Sequence, residues 1–454
     1  MPVPRGGHAC AAGGEELRVS RLRSYVSAIV ASILAAGAAI VPATAWAQEG
    51  DLADRISDLE ATAVTKRGTG APSLQIYGQL NRALLYWDDG FDRRASVVDN
   101  STSSSRFGFI GQAPVAPGLV TGYRLEFGLY AQASEALWNR NDIAAAHWPS
   151  PTHDLVVRQA YWFLRQPTLG TLSLGHQSPA SDDITIINLG SQMNDGAVHY
   201  NNAFNIRLDH PALGHIFSDL KWGHIAHNVD ALRGNFVRYD TPLLAGFMLS
   251  ASAGEDQVWD VALRYQAEWQ NFRFAGGIGF MDDREELYAD LKGSASLLHA
   301  PTGLYLSGAA GVRDDDRSGI IGRPPAYFQY LQAGIRQSWL SFGPTTLYGD
   351  AGLYRNFGVG EFLRVDPNTQ QLVVWGTLAE TEVMRWGLGI EQSFEETGVL
   401  VYLQMHRYEP EIVGFPCANG PTPFPDQCGG NPANLERLPV QPWSAIVVGT
   451  RVRF

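Results

Sequence analysis

Charged residues make up only 18% of this 454-residue sequence, so the places where they recur are informative. Arg106, Arg124, Arg158, Arg238 and Arg264 all sit in segments where apolar and polar residues alternate. Tyr123, Leu125, Phe127 and Leu129 alternate with Arg124, Glu126 and Gly128, and Val237 and Tyr239 alternate with Arg238 and Asp240. Val261, Leu263 and Tyr265 likewise oppose Asp260, Ala262 and Arg264. A period of two puts the ionised groups on one face of a strand, and that face needs water or paired charge. Guanidinium stays protonated and packs flat against its neighbours, so the chemistry on offer is the holding and steering of ions. Arg124 near Glu126 and Arg238 near Asp240 also allow a plainer role, bracing adjacent strands, and for Arg238 and Arg264 that role is preferred.

Bond-making chemistry finds no support. Ser, His and Asp are plentiful, but none stands in a G-x-S-x-G or other elbow-like setting. His215, His224 and His227 have no carboxylate or thiolate at ligand spacing, so loop histidines bonded to backbone are expected, with no metal and no cofactor. Cys417 and Cys428, eleven apart in a Pro/Gly-rich stretch, read as a loop-closing disulfide against the alternative of two free thiols.

The elements that position these residues are strands. From Ser73 onward about sixteen strand-like segments follow one another: 74–87, 104–112, 120–132, 155–165, 170–178, 235–241, 245–254, 257–268, 271–281, 286–299, 303–313, 326–340, 344–355, 383–394, 398–409 and 441–454. Every second connector is short, as at Gln166–Leu169, Trp269–Gln270 and Glu395–Thr397, and most of the others are long, notably 88–103, 133–154, 179–234, 356–382 and 410–440. Short turns on one rim and long loops on the other are the pattern of an all-β transmembrane antiparallel β-barrel. A soluble sandwich gives no reason for that asymmetry. Past residue 47 no apolar run reaches the roughly 18 residues of a membrane helix. The barrel reading predicts an apolar outer face and a polar, hydrated inner wall, the reverse of a lipocalin-like barrel. Trp162, Trp269, Trp339 and Trp386 are expected as interfacial anchors, with Trp222 a loop exception. The segment Gln441–Phe454 closes the wall: Ile446, Val448, Thr450, Val452 and Phe454 share one face, and Arg451 and Arg453 the other.

Arg18, Arg21 and Arg23 precede the apolar run Val26–Val41, and Ala45-Trp46-Ala47 resembles a cleavage site, so 1–47 reads as a secretory signal peptide. Its basic region is long, which suggests a true start downstream of Met1. The segment carries four Arg and two Glu, so its removal moves the formal charge from −12 to −14, against a nucleic-acid partner. Within 48–72, Leu52, Ile56, Leu59 and Ala63 give a heptad-like seam over Gln48–Val64, followed by a linker. A short periplasmic helix that trimerises and a solvated spacer both fit it. The barrel itself is assigned to 73–454.

The stretches Ser73-Leu-Gln-Ile-Tyr-Gly-Gln-Leu80, Ser105-Arg-Phe-Gly-Phe-Ile-Gly111, Arg158-Gln-Ala-Tyr161, Gly170-Thr-Leu-Ser-Leu-Gly-His-Gln177, Val237-Arg-Tyr-Asp-Thr-Pro242 and Ala245-Gly-Phe247, with Phe454 at the end, resemble the general diffusion porins of Gram-negative outer membranes, especially the alphaproteobacterial ones. The resemblance implies a homotrimer of sixteen-stranded barrels whose third loop, here Ser178–Gly234, folds inward. It sets acidic loop residues (Asp182, Asp183, Asp195) against a basic wall (Arg106, Arg124, Arg158, with Glu126 and Arg238), giving a transverse field at the constriction. It implies a passive, non-enzymatic channel for small hydrophilic solutes and ions, with Phe454 as assembly signal and outer-membrane lipid and lipopolysaccharide as surroundings. The acidic runs Asp314-Asp-Asp316 and Asp282-Asp-Arg-Glu-Glu286 read as solvated loop faces, or as divalent-cation bridges to lipopolysaccharide. A sugar- or oxyanion-specific channel, a barrel enzyme and a cell-wall tether are the rival functions. Total charge and acidic loops lean the ion preference toward cations, against the pull of the wall arginines.

Overall fold

The computed structural model describes residues 72–90, 93–134, 153–193, 207–210, 216–221, 229–284, 288–315, 324–358, 361–365, 372–416, 435–438 and 440–454. The signal segment 1–47, the helix expected over 48–64, Asp195, Trp222, the three loop histidines and both Cys417 and Cys428 lie outside them.

The strands are β1 (Ser73–Asp88), β2 (Arg93–Asp99), β3 (Arg106–Ala116), β4 (Leu119–Ala131), β5 (His153–Gln166), β6 (Gly170–Gln177), β7 (Arg207–His210), β8 (Ile216–Lys221), β9 (Gly234–Asp240), β10 (Phe247–Gly254) and β11 (Trp259–Trp269). They continue as β12 (Phe272–Asp283), β13 (Tyr288–His299), β14 (Leu304–Asp315), β15 (Ala326–Leu340), β16 (Gly343–Arg355), β17 (Glu361–Val365), β18 (Leu372–Phe394), β19 (Val399–Pro416), β20 (Glu436–Leu438) and β21 (Trp443–Arg453). Each wall strand pairs antiparallel with the next, and β21 returns to β1 from Gln79↔Arg453 to Asp88↔Ser444. The sheet is therefore closed, which leaves no unpaired edge facing lipid. The wall counts sixteen strands: β2 and β3 serve as one interrupted strand, β7–β8 is a separate hairpin, and β17 and β20 are short additions to β18 and β19.

The interruption differs from the expected plain loop over 88–103. The upper half of β1 pairs with β2 (Arg82↔Asp99) and the lower half with β3 (Gln79↔Arg106). Between them Asn100–Ser105 leaves the wall as a 3-10 turn. Gln79 Nε2 donates to Ser103 O and Ser104 O at 2.9 Å each, and Asn81 Nδ2 to Ser103 O at 2.9 Å. Similarly, β18 and β19 run further into the expected loops 356–382 and 410–440, because long strands that pair with each other satisfy their own backbone groups above the wall.

Outward residues follow the expected alternation. Leu74, Ile76, Leu80 and Leu84 of β1, Leu125 and Leu129 of β4, Leu388 of β18 and Val448 and Val452 of β21 are exposed and form an apolar belt. Trp162, Trp269 and Trp339 stand beside short turns, and Trp259 and Trp386 face outward toward the opposite rim. The inner wall corrects the expectation of uniform polarity. Inward Leu85, Trp87, Phe328, Tyr330, Tyr354, Tyr402, Tyr408, Trp443 and Val447 form one buried apolar cluster on the arc from β15 round to β1. Met193 and Val229 of the third loop belong to the same cluster, so inward side chains there face protein and not water.

Candidate functional site

The third loop leaves the wall after Gln177 and is pinned at its first step by two wall arginines. Arg238 Nη1 donates to Ser178 O (3.1 Å) and Pro179 O (3.0 Å), and Arg264 Nη2 to Ala180 O (2.9 Å) and Asp182 O (2.7 Å). Bracing is thus their geometry, although the partner is loop backbone as well as the neighbouring Asp240 (2.6 Å from Arg238). The loop then crosses β12, where glycines supply the room. A Cβ at Gly277 would stand 2.8 Å from Ile184 Cδ1 and 3.0 Å from Ile187 Cδ1, and one at Gly279 would stand 2.9 Å from Ser181 Cβ.

Beyond β12 the loop follows the wall. Leu189 N donates to Ser296 Oγ of β13 (3.0 Å), Asn188 Nδ2 to Gln332 Oε1 of β15 (2.5 Å) and Thr346 Oγ1 of β16 to Gly190 O (3.2 Å). Its last described residues dock on Glu391 of β18. That carboxylate accepts from Ser191 Oγ (2.5 Å), Gln192 N (2.8 Å) and Met193 N (3.1 Å). Gln404 Nε2 of β19 donates to Met193 O (2.8 Å), and Arg451 Nη1 of β21 donates to Gln192 O (3.1 Å). Glu391 and Gln404 were not singled out from sequence. Their signal was available in inward parity: Glu391 shares a face with Gly387 and Gly389, a polar socket between residues too small to fill the lumen.

The wall from β3 to β6 is left uncovered by these contacts. A cavity of about 850 Å³ runs from the short turns up to the loop, and it is lined by ten arginines against four carboxylates. Arg106, Arg124, Glu126, Arg158, Asp183 and Arg238 all line it. Arg124 and Arg158 grip Glu126 from two sides, at 2.9 and 2.8 Å. Tyr77 OH donates to Glu126 Oε2 (2.9 Å) and accepts from Arg124 Nε (2.7 Å). Arg106 stands on the neighbouring strand opposite Gly128. Glu126 is therefore the organiser of the basic cluster, its charge spent on two guanidiniums.

Asp182 does not join this surface. It is buried behind the loop, 3.9 Å from Arg233 Nη2, while Asp183, with a left-handed φ of 63°, turns to the cavity. One ligand oxygen from each of Asp182, Asp183 and Asp230 lies within 4.8 Å of the others, a spacing that could suit a metal ion. Positive charge is already placed there by Lys292 Nζ, 3.6 Å from Asp230 Oδ1, and by Arg233. Burial pushes the Asp230 carboxyl up to about 7, with Lys292 opposing and Asp182 and Asp183 adding to the rise. Thr185 Oγ1 donates to Asp230 Oδ2 (2.8 Å), so this carboxyl ties the outgoing limb of the loop to the returning one.

Among solved structures, a loop L8 deletion mutant of OmpT, an outer membrane protein of Vibrio cholerae, is similar at 14% identity and a TM-score of 0.50, with 85% of this chain and 100% of that one covered. An anion-selective porin from Comamonas acidovorans is similar at 13% identity and a TM-score of 0.50, again over 85% and 100%. At such identities the likeness is one of fold. No curated protein matches in sequence. A family model described as Gram-negative porin matches residues 30–409. That span takes in fourteen of the sixteen wall strands and the inward loop, and it makes this chain a member of the Gram-negative porin family.

Proposed function

We propose that this porin is an anion-preferring passive channel. Family and fold make it a water-filled diffusion channel of the outer membrane. The observation that carries the ion preference is the cavity, which ten arginines and four carboxylates line, with Glu126 of the uncovered wall already bonded to Arg124 and Arg158. The field at the narrowest point acts at a few ångströms in a confined space, whereas charges on outer loops are screened within about 8 Å at physiological salt. Local charge therefore outweighs the formal −12 of the whole sequence, and the lean toward cations drawn from that total is reversed. The Comamonas acidovorans porin of similar fold is anion-selective, which agrees with this reading. Swelling of proteoliposomes in iso-osmotic glutamate and lysine, solutes of similar size, tests it: glutamate should enter faster, and faster entry of lysine would contradict it.

We read the protein as a homotrimer without enzymatic activity. Arg82 faces outward between Leu80 and Leu84, and below it Phe107, Phe109 and Phe127 pack together on the outer face of β3 and β4. An arginine on the lipid face costs roughly 2–4 kcal/mol at mid-membrane, so covering this patch with a second subunit is favourable. Treating a Leu80→Cys variant with a trifunctional maleimide should give dimeric and trimeric bands; monomers alone would contradict the assignment. Phe454 exchanges backbone hydrogen bonds with Gly78 at 3.0 Å each, which supports a role in closing and assembling the barrel. The signal peptide at 1–47, the linker segment 48–72, the Cys417–Cys428 disulfide and contacts with lipopolysaccharide belong to the same reading.

A further inference from the structure

Of the expected acidic loop residues among those described, only Asp183 meets the permeating ion. Asp182 is buried behind the loop, and the cavity is lined there by Ile186 and Ile187, both half-buried, followed by Asn188. The segment that carries them lies on β11, β12 and β13, since Ser181 N is bonded to Asp260 of β11 (2.5 Å), Ile184 and Ile187 meet Gly277 of β12, and Ser294 Oγ of β13 donates to Ile184 O. Around the closed wall these are the eighth to tenth strands, and Arg106, Arg124 and Arg158 stand on the second to fourth. On a ring of sixteen the two groups are six strands apart, three-eighths of the circumference. A solute therefore passes between guanidiniums on one side and a pair of isoleucines on the other. Tyr161 and Phe163 of β5 line the cavity on the arginine side.

We infer that the constriction favours amphiphilic monoanions, that is, small carboxylates carrying an aromatic or alicyclic body. This rests on the anion-preferring reading and narrows it. A carboxylate can accept parallel hydrogen bonds from one guanidinium while its body lies against the isoleucines, and both contacts form at once only for a solute with both parts. Chloride and acetate gain from the arginines alone. A sugar gains little from the isoleucines, whose surfaces offer no hydrogen bond. A multiply charged oxyanion would have to keep its hydration against an apolar wall, which is unfavourable.

The test uses the full-length protein in planar bilayers at neutral pH, with potassium chloride as carrier and benzoate, cyclohexanecarboxylate or acetate added. Benzoate and cyclohexanecarboxylate should interrupt the current saturably at concentrations roughly tenfold below acetate, a typical discrimination for a modest apolar contact. Ile186→Asn should close that gap between benzoate and acetate, and Ile186→Leu should keep it. Ile186 is preferred to Ile187 because the latter also packs on Gly277. If benzoate and acetate act alike while chloride is still preferred over potassium, this inference is wrong and the anion reading stands. A gap that survives Ile186→Asn also overturns it, and loss of chloride preference in the unmodified protein sinks both.

Discussion

Two arcs of the same wall carry the same alternation and opposite inward surfaces. From β3 to β6 the inward residues are Arg106, Arg124, Arg158 and their partners around a hydrated cavity. From β15 round to β1 they are Tyr330, Tyr354, Tyr402, Trp443 and Val447, buried in an apolar cluster. The third loop makes the difference, since it lies along the second arc and leaves the first bare. Inward parity thus fixes the side of the wall on which a residue sits, and the surface opposite decides whether that side is polar. Ionised groups on the covered arc are paired: Asp350 lies 3.2 Å from Arg385 Nε and 3.4 Å from His406 Nε2, all three buried. Such a group is tolerated only with its partners in place.

The two arcs lose their difference most completely if the loop leaves the one it covers. Glu391→Ala removes the acceptor of three loop donors, two of them backbone N–H groups, at a cost on the order of 3 kcal/mol in loop docking. Single-channel recordings should show larger and noisier conductance; a current indistinguishable from the unmodified protein would mean the loop is held elsewhere. Gly279→Val acts on the other anchor. Its Cβ would meet Ser181 Cβ at 2.9 Å, which cannot be relieved by a side-chain rotation, and overpacking of this kind costs roughly 1–3 kcal/mol. Limited proteolysis should cut the third loop faster in this variant than in Ile278→Val on the opposite face.

A milder change sharpens the contrast. Tyr402 OH donates to Asn81 Oδ1 (2.7 Å) and accepts from Asn100 Nδ2 (2.9 Å), tying the covered arc to the interrupted strand. Tyr402→Phe should lower thermal stability by about 1 kcal/mol and leave ion preference untouched. A changed ion preference would show that the arcs are not separable. The smallest effect expected is a pH dependence. Asp230 binds its proton more tightly in the folded loop than in an unfolded chain, about 7 against 3.8. The loop is therefore most firmly tied below pH 3.8 and loses that contribution as pH rises through about 7. Current noise should grow from pH 5 to pH 8, and Asp230→Asn should flatten the trend; noise independent of pH in the unmodified protein would dismiss it.

Most of the wall was legible in the sequence because period two and the alternation of short and long connectors are local signals. The pairing of β21 with β1 and the inward parity of Arg106, Arg124 and Arg158 follow from them. Features set by the third loop were not legible. Nothing in Asp182-Asp183 says which carboxylate turns outward, since a loop has no period and the answer is the φ of 63° at Asp183. Inward tyrosines and Trp443 read equally well as lumen lining until a loop is seen against them. The departure of Asn100–Ser105 from the wall depends on the side chains of Gln79 and Asn81, more than twenty residues away.

The uncovered arginines are what a permeating ion meets. Reversal potentials across a planar bilayer under a potassium chloride gradient test this most directly, measured for the unmodified protein and for a variant with Arg106, Arg124 and Arg158 all changed to Gln. The unmodified channel should give the sign of chloride preference, and the variant should move toward zero or past it. A cation-selective unmodified channel, or a preference unaltered by the three substitutions, would contradict the account.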